Sequence, residues 1–391
     1  MLSNFLSYFS NLDVGFLIYI IPFLFVLTLI VFVHELGHFL VARWCGVRVM
    51  VFSVGFGPEL LGFNDRHGTR WKFAAIPLGG YVKFFGDENA ASVPDTAAIA
   101  SMSDAEKRDS FAAKPLAARA AIVAAGPIAN FLLAIAIFAG VFMVYGKQSI
   151  PPRVDKIQPE SAAAAAGFQA GDLVMSIDGR TISDFSDMQR IVSLNAGRSL
   201  EIIVQRGNDR VSLRATPTLR EVKDNFGNVQ RIGVLGIQAT QQGPVQAEPL
   251  GPLPALALGV QKTWDIVDTT MSYIGGVLFG RQSADQLGGP ARIAQISGQV
   301  WKHGMESGGF VNALTALISL AGVISVSIGL LNLFPVPLLD GGHLLFYAIE
   351  AVRGKPLSER AQEVGFRIGL ALVLMLMIFA TFQDVLHFKA S

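Results

Sequence analysis

Charge and cysteine are what this chain has least of. Of its 391 residues only 16% are charged and 51% are hydrophobic. The 31 Lys and Arg nearly cancel the 30 Asp and Glu, leaving a net charge of +1. That balance gives no footing for nucleic acid or for a strongly charged partner. The single cysteine, Cys45, excludes an internal disulfide, and its place beside a long apolar run suits packing. No Lys or Arg precedes Arg43, and the apolar stretch before it is too long for the core of a cleaved signal. No internal repeat of the soluble kind is found. A mean hydropathy of +0.47 is too apolar for a soluble chain and too polar for one made only of membrane spans. The expected class is therefore a membrane protein with at least one soluble domain.

One stretch organises the rest, His34-Glu35-Leu36-Gly37-His38, of the form H-E-x-x-H. On a helix, residues four apart share a face, so both imidazoles can reach one ion. Glu35 can then hold and deprotonate a water at that ion. From Val14 to Ala42 nearly every other residue is apolar, long enough to cross a bilayer. Ionisable groups inside such a span are costly and read as functional. Arg43, Arg48, Arg66, Arg70, Lys72 and Lys83 follow the span, so the positive-inside rule puts the N-terminus outside and the next loop in the cytoplasm. The histidine pair lies roughly 13 Å before Arg43, on the cytoplasmic side.

The pattern along the chain predicts eight regions. Residues 1–46 hold the first transmembrane helix. Residues 47–86 form a small membrane-associated β-sheet, with strands at Val49–Val54, Trp71–Ile76 and Tyr81–Phe85 and breaks at Asn64–Gly68 and Pro77–Gly80. That sheet reads either as an edge strand that pairs with an extended substrate or as a surface hairpin dipping into the membrane. Residues 87–117 are a cytoplasmic linker, and 118–147 a second transmembrane helix. The latter contains Gly126-Pro127-Ile128-Ala129-Asn130, open to a packing or a direct catalytic role. Residues 148–242 are a periplasmic PDZ-like α+β domain. It has a helix ending at Gly167, a turn at Asp178-Gly179, a helix over Phe185–Asn195, strands over Leu200–Val204 and Val211–Ala215, and a last strand at Ile232–Ile237. It would bind peptides by strand addition, or only block large substrates. Residues 243–310 are a Pro-rich linker and amphipathic periplasmic helices. Residues 311–345 carry the third transmembrane helix and an Asp-Gly motif, and 346–391 a cytoplasmic loop and the fourth transmembrane helix. The fold class is thus a polytopic α-helical membrane protein of four transmembrane helices, with a small membrane-associated β-sheet and an inserted α+β PDZ-like domain.

Two histidines do not complete a catalytic zinc site, which uses three protein ligands. The best third ligand is Asp340, after a span that Pro335 and Pro337 end and before Gly341 and Gly342. His343 is a rival. Asn332, before the prolines, could hydrogen-bond a substrate backbone. Asp340 can meet the histidines only if an odd number of spans separates the two. The segment Ala255–Phe279 is therefore read as an interfacial or periplasm-facing helix. Both termini and the PDZ-like domain then lie outside.

Taken together, H-E-x-x-H in the first span, G-P-x-x-N in the second, a PDZ-like domain and Asn332-x-x-Pro335-x-Pro337-x-Leu339-Asp340-Gly341 resemble the site-2 protease family. The closest resemblance is to its bacterial regulator-of-sigma-E protease group, in a single-PDZ form where better-known members carry two. The resemblance implies an intramembrane zinc metalloprotease of the bacterial inner membrane. It implies Zn2+ held by His34, His38 and Asp340, Glu35 as catalytic base, and substrate contacts from Asn332, Gly79, Gly80 and Tyr81. The implied partners are the lipid bilayer and single-span membrane-protein substrates, such as anti-sigma-factor-like proteins or signal-peptide remnants, with no nucleic acid.

Overall fold

Residues 14–86, 102–147, 150–223, 229–238, 249–280 and 288–390 are described by a computed structural model. Residues 87–101 of the linker expected over 87–117, and residues 243–248 of the Pro-rich linker, lie outside them. Two compact units divide the chain. One holds residues 1–138, 259–266 and 288–385; the other holds 139–258, 267–287 and 386–391.

In the first unit, helix α1 spans Val14–Trp44. Its end is set by Gly46, which adopts φ 69° as the chain leaves the helix. The Gly46 N–H donates to Arg43 O at 3.0 Å and the Val47 N–H to Ala42 O at 2.8 Å. These two bonds satisfy carbonyls that the helix end would leave unpaired. Pro22 sits inside the helix.

Strands β1 (Val49–Asn64) and β2 (Arg70–Phe84) follow. Each bends and pairs with the other more than once. Val51–Val54 pair with Gly80–Lys83 along one side and with Arg70–Phe73 along the other, while Glu59–Asn64 pair with Arg70–Ala74. The sheet thus has four segments, ordered 59–64, 70–74, 49–54, 80–84. The break expected at Pro77–Gly80 is a bend within β2, and the segment 59–64 is a strand that its glycines and Pro58 concealed. Asp65 closes the turn between β1 and β2. It accepts the His67 and Thr69 N–H groups at 2.9 and 3.0 Å and the Arg43 guanidinium at 2.6 Å. Phe39 of α1, Phe52 and Trp71 stack in a buried cluster, with Phe52 and Trp71 ring centroids 4.3 Å apart, and this fastens the sheet to α1.

A short helix α2 (Asp104–Asp109) leads to α3 (Leu116–Tyr145). Further on, α6 (Pro252–Leu278) precedes α7 (Pro290–Asn332), α8 (Asp340–Arg353) and α9 (Glu359–Ala390). Helix α7 is interrupted at Gly308 and Gly309, the latter at φ 73°. The part beyond that break corresponds to the span expected from Val311. Among the described residues, four helices are long and apolar enough to cross a membrane, at Leu17–Trp44, Leu116–Tyr145, Pro290–Asn332 and Arg360–Val385. Helix α6 is not one of them. Val26 and Ile30 of α1 bury against Leu317 and Ala321 of α7.

The second unit is built on a four-stranded sheet, ordered β5-β4-β6-β7. In chain order come β3 (Lys156–Ile157), α4 (Ala162–Ala165), β4 (Leu173–Ile177), β5 (Arg180–Thr181), α5 (Phe185–Ser193), β6 (Leu200–Arg206) and β7 (Asp209–Ala215). Asp178 and Gly179 both have positive φ, at 46° and 77°, as a two-residue hairpin turn between β4 and β5 requires. Val174, Ile177, Ile202, Val204, Met188 and Val192 form the core. The strand expected over Ile232–Ile237 is divided. Strand β9 (Val229–Val234) pairs with β8 (Thr218–Lys223), then Gly236 turns the chain at φ 81°, and β10 (Ile237–Gln238) pairs with β3.

Candidate metal centre

Helix α1 presents His34 and His38 on one face, as their spacing requires. The loop after α7 brings Asp340, the first residue of α8, up to them. His34 Nε2 lies 3.2 Å from Asp340 Oδ2, His38 Nε2 lies 3.6 Å from Asp340 Oδ1, and the two Nε2 atoms are 3.2 Å apart. Ligands about 2.05 Å from one tetrahedral ion sit roughly 3.3 Å from each other. The triad therefore has the dimensions of such a site.

Hydrogen bonding decides what these atoms offer. His38 Nδ1 lies 2.8 Å from Ile122 O, which can only accept, so Nδ1 carries the proton and Nε2 presents a lone pair. Asp340 Oδ2 is buried and has no hydrogen-bond partner. A buried, unpartnered carboxylate oxygen facing a bare imidazole nitrogen is unfavourable unless a cation joins them. The donor set, two imidazoles and one carboxylate, is one that catalytic zinc sites use.

Helix α3 supplies the surrounding layer. Asn130, fully buried, lies 3.2 Å from His34 Nδ1 through its amide. Its Oδ1 is otherwise unsatisfied. Turning the amide so that Oδ1 accepts the Nδ1 proton leaves the His34 Nε2 lone pair facing the triad. Gly126 brings α3 against the rings, because a Cβ there would lie 2.9 Å from His34 Cε1 and 2.6 Å from His38 Cε1. Ser325 of α7 donates to Asn130 O at 2.9 Å.

Glu35 points toward the sheet and accepts the Val82 N–H. Gly80 makes this approach possible, since a Cβ there would lie 2.7 Å from Ser53 O, 2.9 Å from Val31 Cγ1 and 3.1 Å from Glu35 Cγ. His34, Glu35, His38, Asp340, Asn332, Gly79, Gly80 and Tyr81 all line one cavity of about 740 Å³. His343 also lines it, but the three-ligand cluster consists of His34, His38 and Asp340. The His343 ring instead lies 5.3 Å from that of Phe366. Spacing alone could not reveal the Ile122 carbonyl or the Val82 N–H, because each acts through a close approach between segments distant in sequence, whereas Gly126 was visible as a small residue that permits close helix packing. The Asn130 amide was visible as a polar group in an apolar run, without its partner.

The family model for peptidase family M50 matches residues 22–376. The chain belongs to peptidase family M50. This M50 chain is 51% identical over 373 residues to "Putative zinc metalloprotease Atu1380" of Agrobacterium fabrum, covering 95% of this chain and 97% of that one. It is 41% identical over 385 residues to "Metalloprotease MmpA" of Caulobacter vibrioides, covering 95% and 96%. A solved PDZ domain from Listeria monocytogenes covers 24% of this chain and 88% of its own, at 19% identity and a TM-score of 0.18. That score is too low to bear on the insert, whose description rests on its own strand order. The M50 chain is a membrane-embedded zinc metalloprotease, and the site-2 protease resemblance and four-span architecture expected from its sequence hold.

Proposed function

We propose that this protease hydrolyses a peptide bond within or beside a transmembrane segment of single-span membrane proteins. The observation that carries the reading is the His34–His38–Asp340 triad, its histidines on an apolar spanning helix and its aspartate just beyond the end of another, with Glu35 in the same cavity. His34, His38 and Asp340 would hold the zinc, which when bound would supply a Lewis acid for the scissile carbonyl and for the water. Glu35 takes a proton from the attacking water and passes it to the leaving amine. The Val82 N–H steadies the Glu35 carboxylate, which lines the cavity with the triad.

A membrane helix keeps its amides in internal bonds, so the substrate must unwind before it is cut. The outer edge of Gly80–Phe84, with Gly79, Gly80 and Tyr81 on the cavity wall, offers strand pairing in place of those bonds, and the Asn332 amide offers another. The positive-inside pattern supports an inner-membrane protein with both termini and the α+β insert outside and the metal near the cytoplasmic side. Release of an anti-sigma-factor-like protein, or clearance of signal-peptide remnants, fits a substrate of this kind. The domain limits given above belong to the same reading.

The test uses Glu35→Gln and Asp340→Asn in the full chain. Glu35→Gln should keep zinc and lose cleavage of a single-span substrate; retained cleavage removes the base assignment. Asp340→Asn should lose zinc; parental occupancy sends the third ligand elsewhere, with His343 first in line. Efficient turnover of short peptides lacking a span would contradict the substrate class.

A further inference from the structure

The loop from Leu333 to Leu339 hands Asp340 to the metal centre, and it is under strain. Pro335 and Pro337 remove two backbone donors, and Leu338 sits at φ 106°, a conformation that L residues avoid. Such a backbone persists only where its surroundings over-determine it. The first turn of α8 presses from one side, where a Cβ on Gly342 would lie 2.6 Å from Pro337 Cα and N. Helix α9 presses from another. A Cβ on Gly369 would overlap Pro337 O and lie 2.6 Å from its carbonyl carbon and 3.1 Å from its Cα. A Cβ on Gly365, one turn earlier, would lie 3.7 Å from Pro337 Cγ and 2.9 Å from Phe346 Cζ. Between them Phe366 is buried against the His343 and Phe346 rings.

Helix α9 is also anchored at its far end. Asp384, 2% exposed, accepts the N–H groups of Gly289, Ala291 and Arg292 at 2.8, 3.1 and 3.2 Å. These are donors that the start of α7 leaves without helical partners. Residues 369 and 384 are about 22 Å apart along the helix. Helix α9 is thus fixed to the chain at both ends of α7, and its glycine face bears on the loop that ends in Asp340.

We propose that Gly369, assisted by Gly365, is a positioning residue for the metal ligand. The bare face of α9 seats the Pro337 carbonyl and so fixes the turn that delivers the Asp340 carboxylate to His34 and His38. The proposal rests on the assignment of Asp340 as third ligand. A methyl group at 369 would drive the Pro337 carbonyl carbon back by roughly 0.9 Å to reach ordinary carbon–carbon contact. Metal–ligand distances tolerate about 0.2 Å. At Gly365 the nearest obstacle is the end of a Phe side chain, which can move, so the effect there is smaller.

The experiment compares the full chain with Gly369→Ala, Gly365→Ala, Asp340→Asn and the lipid-face control Leu374→Ala in detergent. Zinc affinity is measured by chelator competition, the geometry by the visible spectrum of the cobalt-loaded protein, and folding by thermal unfolding of the metal-free form. Gly369→Ala should lose zinc affinity about tenfold or more and change the cobalt spectrum. Gly365→Ala should lose less, Leu374→Ala nothing, and the metal-free melting temperature should hold in all three. Parental affinity and spectrum in Gly369→Ala overturn the proposal, as does a loss that only follows a lowered metal-free stability. If Gly369→Ala does not fold, a measurable loss in Gly365→Ala supports the proposal and parental values refute it. If Asp340→Asn leaves zinc affinity unchanged, the ligand assignment fails instead, a result separable from failure of the seat.

Discussion

Gly126→Ala is the sharpest perturbation available to this site. It adds one methyl group on α3, and that methyl is directed at both metal-binding rings. The new carbon would overlap His38 Nε2 and lie 2.6 Å from His38 Cε1 and 2.9 Å from His34 Cε1. Ordinary carbon–carbon contact begins at about 3.5 Å, so the rings must retreat by roughly 0.6 to 0.9 Å. Neither retreats freely, because His38 Nδ1 is tied to Ile122 O at 2.8 Å and His34 Nδ1 to the Asn130 amide at 3.2 Å. Loss of one outer hydrogen bond alone costs about 10- to 100-fold in metal affinity. A displacement several times the 0.2 Å tolerance of a metal–ligand bond should cost at least the upper figure, about 2.7 kcal/mol. Helix propensity acts in the opposite sense, since Ala stabilises a helix interior by about 1 kcal/mol over Gly. A general loss of folding is therefore not the expected cause. The assay is zinc competition on the full chain, beside helix content and thermal unfolding of the metal-free form. Zinc affinity within threefold of the parent, in a folded Gly126→Ala protein, would refute the reading of α3 as the wall against which the rings are set.

Asn130→Ala should lower zinc affinity about 10- to 100-fold, while Asn130→Asp, which can still accept the His34 Nδ1 proton, should keep more of it; titration against a chelator distinguishes them. Removing zinc should lower the melting temperature, and restoring zinc should recover it by an amount that grows with free zinc, as mass action requires. In the second unit, Arg206→Ala should measurably destabilise the fold, because Arg206 Nε and Nη2 each reach the buried Asp172 carboxylate at 2.8 Å and its removal leaves that carboxylate without its cation. Burial pushes the Asp172 carboxyl upward, but Arg206 and the Gln169 N–H outweigh it and hold the carboxyl below its ordinary value. The stabilisation is therefore complete above the ordinary aspartate range and is lost as pH falls through and below it. Hydrogen exchange of the β4 and β6 amides on acidification should show that loss, and Arg206→Ala, which removes the partner that depresses Asp172, should remove most of this pH dependence.

The sequence announces its metal centre in two ways that differ in kind. His34 and His38 are legible because a helix repeats every 3.6 residues, whatever surrounds it. Asp340 is legible as a candidate from its place after a span that Pro335 and Pro337 end and before Gly341 and Gly342, and its meeting with the histidines then constrains the orientation of whole spans, because nothing local links residue 340 to residue 34. What escapes both kinds of reading is close approach. Gly126, Gly80 and Gly369 matter for atoms they would strike if they carried a side chain, and no sequence pattern names those atoms. The sheet shows the same limit. Alternation marks Val49–Val54 and Tyr81–Phe85, but Pro58 and Gly62 interrupt the pattern over Glu59–Asn64, which is nevertheless paired with Arg70–Ala74. The interruption in α7 was legible only as a drop in apolar character before Val311, and the Gly308–Gly309 pair that produces it gave no sign of its direction.

Charge explains why so many separate segments converge on one ion. Asp340 and Glu35 share a cavity walled by apolar spans, where two carboxylates without a cation would repel each other and lack solvent. A divalent ion facing two neutral imidazoles and two carboxylates brings the sum near zero, so the buried charges become tolerable only when the ion is held. Holding it requires each imidazole to keep its proton on Nδ1, and Ile122 O meets that need for His38 while the Asn130 amide meets it for His34. It also requires a carboxylate that cannot drift toward water, a constraint that the strained Leu338 turn, packed against α8 and α9, would supply. Residues outside the proposed ligand set are therefore as much a condition of zinc binding as its three members.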